Sequence, residues 1–348
     1  MTGADALTEL ERHMRWRGFA RVLGAVAIFA ALLVLAGWAF DIQLLKSVLP
    51  GAATMKANTA LGFLLSGLGL WLLATPSAAA STARTRTRLA ASCAGLVALL
   101  GTATLAQYLF GVDFGIDTLL VADANPRMAP VTAFAFILLG LALLLRDAPR
   151  RGAQLLAEVC ALTVALIGLL ALLGYAYGVE SLYRLYNYTS MAVHTALLFV
   201  LLSLGLLAAR AERGGAATVA SAHGGGLMAR RILPFAIALP FLFGWLRLQG
   251  ERFGLYGTEF GLALFATSNV VIFVTLVWWS ARAVNRVDMQ RYGTATALQE
   301  SSRLNEQIIR SVGEGIIVLD RELRYVVWNP FMERLTGIAA RPIAGDAK

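Results

Sequence analysis

The chain has 348 residues, of which 58% are hydrophobic and 15% charged, against about 45–50% and about 25% in soluble domains. Disorder is excluded, because disordered chains are poor in apolar residues, and so is an ordinary soluble globule, because too little polar surface remains to cover so much apolar volume. What remains is an all-α integral membrane protein, in which a net charge of +9 marks either nucleic-acid binding or arginine gathered in cytoplasmic loops.

Residues 1–21 form a basic N-terminal segment with Arg12, Arg15, Arg17 and Arg21. The apolar run behind it is too long for a cleavable signal peptide, and no small-x-small site follows it. A helix crosses the hydrocarbon core with roughly 20 apolar residues. Eight stretches fit, at about 22–40, 59–74, 89–110, 131–145, 155–177, 191–208, 232–245 and 260–280. The seventh is short and holds Pro234 and Pro240, which a bundle tolerates where neighbours satisfy the freed carbonyls. Arginines cluster in alternate loops: Arg84, Arg86 and Arg88, then Arg146, Arg150 and Arg151, then Arg210, Arg213, Arg230 and Arg231. The intervening loops hold only Lys46, Lys56, Arg127, Arg184, Arg247 and Arg252. Both termini are therefore expected in the cytoplasm, and the positive charge belongs to the membrane face, with no nucleic acid implied.

The third and fifth stretches align without a gap. Cys93 matches Cys160, Gly101 matches Gly168, Tyr108 matches Tyr175, and Gly111-Val112-Asp113 matches Gly178-Val179-Glu180. The even stretches share M-x-x-x-T-A-x-x-F: Met55, Thr59 and Phe63; Met128, Thr132 and Phe136; Met191, Thr195 and Phe199, with His194 before the last threonine. The unit is a helical hairpin repeated in parallel over 22–75, 89–145 and 155–208, with 232–280 divergent. The first odd stretch matches the others poorly. Each outer loop opens with an acidic residue, Asp41, Asp113 or Glu180. These Met, Thr, Phe, His and acidic residues are candidates to line a pseudo-symmetric outer pocket. The alternative is packing, with small residues admitting close helix approach and threonine capping helix starts.

No Asp, Lys or Arg lies deep within a predicted span, which counts against a proton-coupled pump. His194 is the histidine placed to meet the three methionines as a soft-metal site; a hydrogen-bonded structural role is the simpler reading. Cys93 and Cys160 read as packing residues. No Walker loop, dinucleotide fingerprint, HExxH or CxxC occurs, so no cofactor, metal or catalytic residue is assigned.

From Ala281 to Val312 the chain is polar, with Val284, Val287, Leu298, Ile308 and Val312 in one heptad frame. That pattern suits a linker helix pairing in a homodimer, with a solvated single helix as the alternative. Residues 315–320 and 324–328 then read as strands joined by a hairpin turn. Asn329-Pro330 opens a helix and Gly337 closes it. The run SVGEGIIVLDRELRYVVWNPFMERLTGI resembles the start of a PAS domain, an α+β fold, with Asp320, Trp328, Asn329 and Gly337 in its motif. The resemblance covers about 305–348 and ends before that fold's later helix and three strands, so residues 313–348 read as the N-terminal part of a truncated domain whose ligand is unknown. GVDFGIDTLLVADANPRMAPVTAFAFILLGLALLL and YNYTSMAVHTALLFVLLSLGLL resemble the membrane regions of bacterial PAS-containing sensor histidine kinases and diguanylate cyclases. The resemblance implies a multi-pass inner-membrane sensory domain in a lipid bilayer, passing a signal through PAS to an output domain. This chain holds neither the phosphoacceptor-histidine helix, the ATP-binding domain nor the cyclase domain of those proteins, so no enzyme is expected here. A permease built from parallel hairpins is the alternative, and a membrane transferase the third reading.

Overall fold

The computed structural model describes residues 3–48, 53–76, 79–118, 120–121, 127–179, 189–210, 224–320 and 325–338. The chain divides into two compact units, Met1–Leu276 and Val277–Lys348.

The first unit holds α1 (Gly3–Ala39), the short α2 (Gln43–Lys46), α3 (Ala57–Ala74), α4 (Ala80–Phe110), α5 (Pro130–Leu145), α6 (Arg151–Tyr177), α7 (Val193–Ala208), α8 (Gly224–Arg252) and the first part of α9 (Thr258–Ser311). The pairs α1/α3, α4/α5 and α6/α7 pack as hairpins, and contacts α3/α4, α5/α6 and α1/α7 close them into a ring. The helices α3, α5 and α7 also touch one another. They form an inner triangle, with α1, α4 and α6 outside it. Burial agrees: 61% of the apolar window of α3 is buried, against 33% in each of α1, α4 and α6. The outer helices turn Leu96, Leu99, Leu162 and Leu166 outward, as a lipid-facing surface requires. Among the described residues six helices (α1, α3, α4, α6, α8 and the 258–282 part of α9) are long and apolar enough to cross a membrane, while α5 and α7 are apolar but shorter. This architecture is compatible with a multi-pass membrane protein.

Small residues set the interhelical distances. A Cβ added to Gly101 would lie 2.5 Å from the Ala133 carbonyl oxygen, and one added to Gly168 would lie 2.6 Å from that of Ala196. Ala133 and Ala196 are the alanines of the two Thr-Ala pairs, so the aligned glycines admit the aligned inner helices. Such close backbone approach supplies the dispersion contacts that hold helices together where surrounding lipid is as apolar as the side chains.

The structure also fits the first hairpin into the repeat. Asp41 has φ 55°, Gly111 φ 65° and Gly178 φ 68°. All three stand just past the end of an outer helix, at the left-handed position where glycine is usual. Asp41 is therefore the counterpart of Gly111 and Gly178. Asp113 and Glu180 come two residues later in the sequence of their hairpins. The seventh stretch is corrected, because α8 runs through Pro234 and Pro240 as one 29-residue helix. It lies against α6, with the Tyr177 hydroxyl donating to the Phe241 carbonyl at 2.7 Å and Arg252 donating to the Tyr177 carbonyl at 2.7 Å.

In the second unit the helical linker ends at Ser311, and β1 (Ile317–Leu319) pairs antiparallel with β2 (Tyr325–Trp328). Ile317 faces Trp328 and Val318 faces Val327, with a bulge before the Leu319–Tyr325 pair. The helix α10 (Pro330–Thr336) starts as expected at Asn329, whose side chain accepts from the Met332 N–H, and stops at Gly337 with φ 72°. Of the heptad positions, Val284, Val287 and Leu298 have side chains outside the described residues.

Candidate functional site

Each M-x-x-x-T-A-x-x-F string is a short extended entry leading into an inner helix. The carbonyl of its methionine accepts a hydrogen bond from an aromatic side chain near the end of the preceding outer helix: Trp38 Nε1 to Met55 at 2.9 Å, Tyr108 to Met128 at 2.9 Å, and Tyr175 to Met191 at 2.6 Å. The first intrahelical bond has the same length in all three, Ala60 to Lys56, Ala133 to Ala129 and Ala196 to Ala192 at 3.0 Å. Met55, Met128 and Met191 are each 1% exposed, and Thr59, Thr132 and Thr195 are buried with them. Phe63, Phe136 and Phe199 are fully buried and meet as a triangle, with ring centroids 4.9, 4.8 and 5.0 Å apart. The strings thus converge on a pseudo-threefold axis and fill it. Of the two readings left open by the sequence, burial and ring contact favour packing for these nine residues.

The symmetry breaks one residue before each threonine, where Asn58, Val131 and His194 stand. Asn58 is 3% exposed and donates through Nδ2 to Asp117 Oδ1 at 3.1 Å. Asp117, on the segment after α4, has a side chain only 4% exposed. Its Oδ2 accepts from Gln107 Nε2 at 3.0 Å and from Arg127 Nε at 2.8 Å. Gln107 Nε2 is shared with Asp113 Oδ1 at 3.0 Å, which also accepts the Gly115 N–H. Arg127 lies over the Tyr108 ring at 5.2 Å and stands 3.9 Å from Asp113. One carboxylate thus ties the start of α3 to the end of α4 and to the entry of α5. Three buried polar atoms at this place, Asn58 Oδ1, Thr104 Oγ1 and Gln107 Oε1, have no hydrogen-bond partner among the described residues.

Of the predicted site residues, Asp113 belongs to this cluster. Asp41 is ion-paired with Lys46, which also lies 4.5 Å over the Trp38 ring. His194 is half-buried at the second position of α7, with neither ring nitrogen hydrogen-bonded among the described residues. Among those residues no group of three or more His, Cys, Asp or Glu could hold a metal. Glu180 lies outside the described residues. In the second unit, Asn329 is 1% exposed and its amide donates to the carbonyls of Ile309 at 3.3 Å and Glu314 at 2.8 Å. Its oxygen accepts from Ile316 and Met332. Trp328 donates to the Ile338 carbonyl at 3.2 Å, and Asp320 is half-buried.

Sequence reasoning missed Asp117, Arg127 and Asn58 as a group. A usable signal was present: Asp117 stands between Phe114-Gly115-Ile116 and Leu119-Leu120, an apolar setting in which a carboxylate needs partners. At the opposite end of α1, Arg15, Trp16, Phe19 and Arg230 line an open surface pocket of about 400 Å³. No family model, curated protein or solved structure matches the chain.

Proposed function

We propose that this chain is the membrane-embedded input region of a bacterial signalling receptor, without catalytic activity of its own. The observation that carries this reading is α9. It is 54 residues long, its first part apolar enough to cross a membrane and its last turn at Ser311. Asn329 bonds the last turns of that helix to the start of β1 and the start of α10. A turn or slide of the helix is therefore communicated to the αβ segment, which resembles the start of a PAS domain. Both termini are assigned to the cytoplasmic side of the inner membrane on the arginine distribution, and Ala281 to Val312 is assigned to a homodimer contact.

The repeat supports eight crossings over six. α4 and α6 are equivalent outer helices of a ring, and α5 returns along α4. At 1.5 Å per residue the 16 residues of α5 span about 24 Å. The buried entry from Met128 adds the remainder, so length alone understates these inner segments.

Inserting one residue near Gly293 in the full-length receptor rotates everything downstream by about 100°. Output is expected to lock on or off, and a four-residue insertion to restore part of the regulation. Unchanged output after both insertions removes the reading. A permease remains the second reading, favoured by the parallel repeats. Against it, Phe63, Phe136 and Phe199 fill the axis along which a symmetric path would run. Solute uptake by liposomes holding purified protein would decide for it.

A further inference from the structure

The first half of α8 stands free of the core. Its apolar window is 0% buried, and the hydrogen bonds that tie it to α6 lie in its second half, at Phe241 and Arg252. Beside its first turns, Arg15, Trp16 and Phe19 of α1 and Arg230 of α8 line one open pocket of about 400 Å³. Small-molecule sites usually measure about 300–1,000 Å³. Trp16 rests on the hydrophobic core, and its ring meets Phe19 edge-on at 6.4 Å, which fixes the aromatic wall. The apolar stretches of the two helices begin at Met14 and Met228, so Arg15 and Arg230 each stand in the first turn of a span. The pocket therefore lies at headgroup depth, where hydrocarbon gives way to water.

Charge and shape narrow the occupant. Two guanidinium groups border one space, and among the described residues no acid lines it. Residues 12–21 hold Arg12, Arg15, Arg17 and Arg21, residues 228–237 hold Arg230 and Arg231, and neither stretch contains Asp or Glu. Glu158, on the neighbouring α6, is not among the lining residues. An anion is favoured, and phosphate is the anion that arginine pairs with bidentately. Beyond the pocket Phe19, Val22, Val26 and Phe29 follow at three- and four-residue spacing on one face of α1, all exposed. Leu233 and Ile237 continue from Arg230 along α8 in the same way. A basic end thus opens onto an apolar track. A soluble phosphate uses only the first, and a neutral hydrophobe only the second. A molecule with a phosphate at one end and hydrocarbon at the other uses both.

We propose that the pocket between α1 and α8 holds the headgroup of an anionic phospholipid from the surrounding leaflet, with Arg15 and Arg230 on its phosphate, Trp16 and Phe19 against its glycerol backbone, and an acyl chain along α1. Basic pockets between membrane helices on the cytoplasmic side are where such headgroups bind. The bound lipid joins the start of α8 to α1. The assignment rests on the membrane reading and its inner-face orientation, not on a signalling role, since it is tested on lipid binding and not on output.

The test is native mass spectrometry of the full chain in detergent, titrated at constant ionic strength with phosphatidylglycerol or with phosphatidylcholine of the same acyl chains. Both carry a phosphate, but only the first has net negative charge. A single phosphatidylglycerol is expected to bind roughly 20-fold tighter than phosphatidylcholine, each arginine supplying about fivefold. Arg15→Gln and Arg230→Gln should each weaken phosphatidylglycerol about fivefold and leave phosphatidylcholine unchanged. Arg84→Gln, at an exposed arginine of α4 outside the pocket, should change neither. Excess inorganic phosphate should leave the lipid bound. Equal affinity for the two lipids overturns the proposal in favour of chain contact alone, and an equal loss in Arg84→Gln in favour of general surface charge. Displacement by inorganic phosphate overturns it in favour of a soluble anion. A failure of the membrane reading shows separately, as wild-type chain released from membranes by alkaline carbonate. Should Arg230→Gln fail to fold, Arg15→Gln, at an exposed side chain, decides alone.

Discussion

Asp117 is held by three donors from three segments of chain, and the side chain is 4% exposed. A carboxylate taken from water costs several kcal/mol unless paired, so partner and acid are interdependent. Asp117→Asn is expected to destabilise the chain by about 1–3 kcal/mol. That is less than the 3–5 kcal/mol typical of a broken, fully buried pair, because Arg127 keeps 30% exposure and recovers some hydration. Combining Asp117→Asn with Arg127→Gln should cost less than the sum of the single changes. A double-mutant cycle on denaturation free energies measures the difference, and strict additivity would deny the pairing. His194 is the opposite case. Its threefold counterparts are Asn58 and Val131, and neither ring nitrogen has a hydrogen bond among the described residues. His194→Val copies the residue already tolerated at Val131. It is expected to leave stability unchanged within about 1 kcal/mol or to raise it; a large loss would reveal a partner essential to the fold.

At the level of helices, two glycines of α4 separate packing from propensity. Gly101 has the Ala133 carbonyl oxygen 2.5 Å from where a Cβ would stand, whereas Gly95 has nothing within 4 Å. Gly101→Val should push α4 from α5 and lower stability by 2 kcal/mol or more, about the cost of overpacking a dense interface. Gly95→Ala should stabilise by up to about 1 kcal/mol through helix propensity. Thermal unfolding of the two variants compares them directly, and equal effects would sink the close-approach argument. The second and third hairpins were legible in the sequence because the same contacts need the same residues: tyrosine to reach a carbonyl, glycine to admit a helix, phenylalanine for the axis. The first outer helix was not, because Trp38 performs the task of Tyr108 and Tyr175, and Asp41 adopts the backbone that Gly111 and Gly178 adopt. Equivalence there lies in the geometry and not in the letters. The length of α8 was also hidden. Pro234 and Pro240 each disturb only the carbonyl four residues back, and the helix continues across both. The Asp117 cluster escaped because Asn58 lies far from the other members in sequence and two of them, Asp117 and Arg127, sit in what reads as an ordinary loop.

For the whole molecule, the pseudo-threefold ring makes one topological demand. Outer helices α1, α4 and α6 are equivalent, so they must run in the same direction, and each inner helix must carry the chain back. The side on which residue 150 lies therefore separates eight crossings from six. With all eight, the segment between α5 and α6 shares a side with Ala80, which precedes α4. If α5 did not cross, it would share a side with Phe114, which follows α4. Single cysteines at Phe40, Ala80, Phe114, Arg150 and Phe253, all exposed, report this through a membrane-impermeant thiol reagent. The native thiols need replacing first, and both Cys93 and Cys160 are buried, so alanine, small and apolar, is the suitable substitute. Labelling from one face is expected at Phe40, Phe114 and Phe253, and from the other at Ala80 and Arg150. Arg150→Cys reacting together with Phe114→Cys would reduce the count to six. It would also break the parallel alignment of α4 and α6, and with it the threefold arrangement on which Phe63, Phe136 and Phe199 meet.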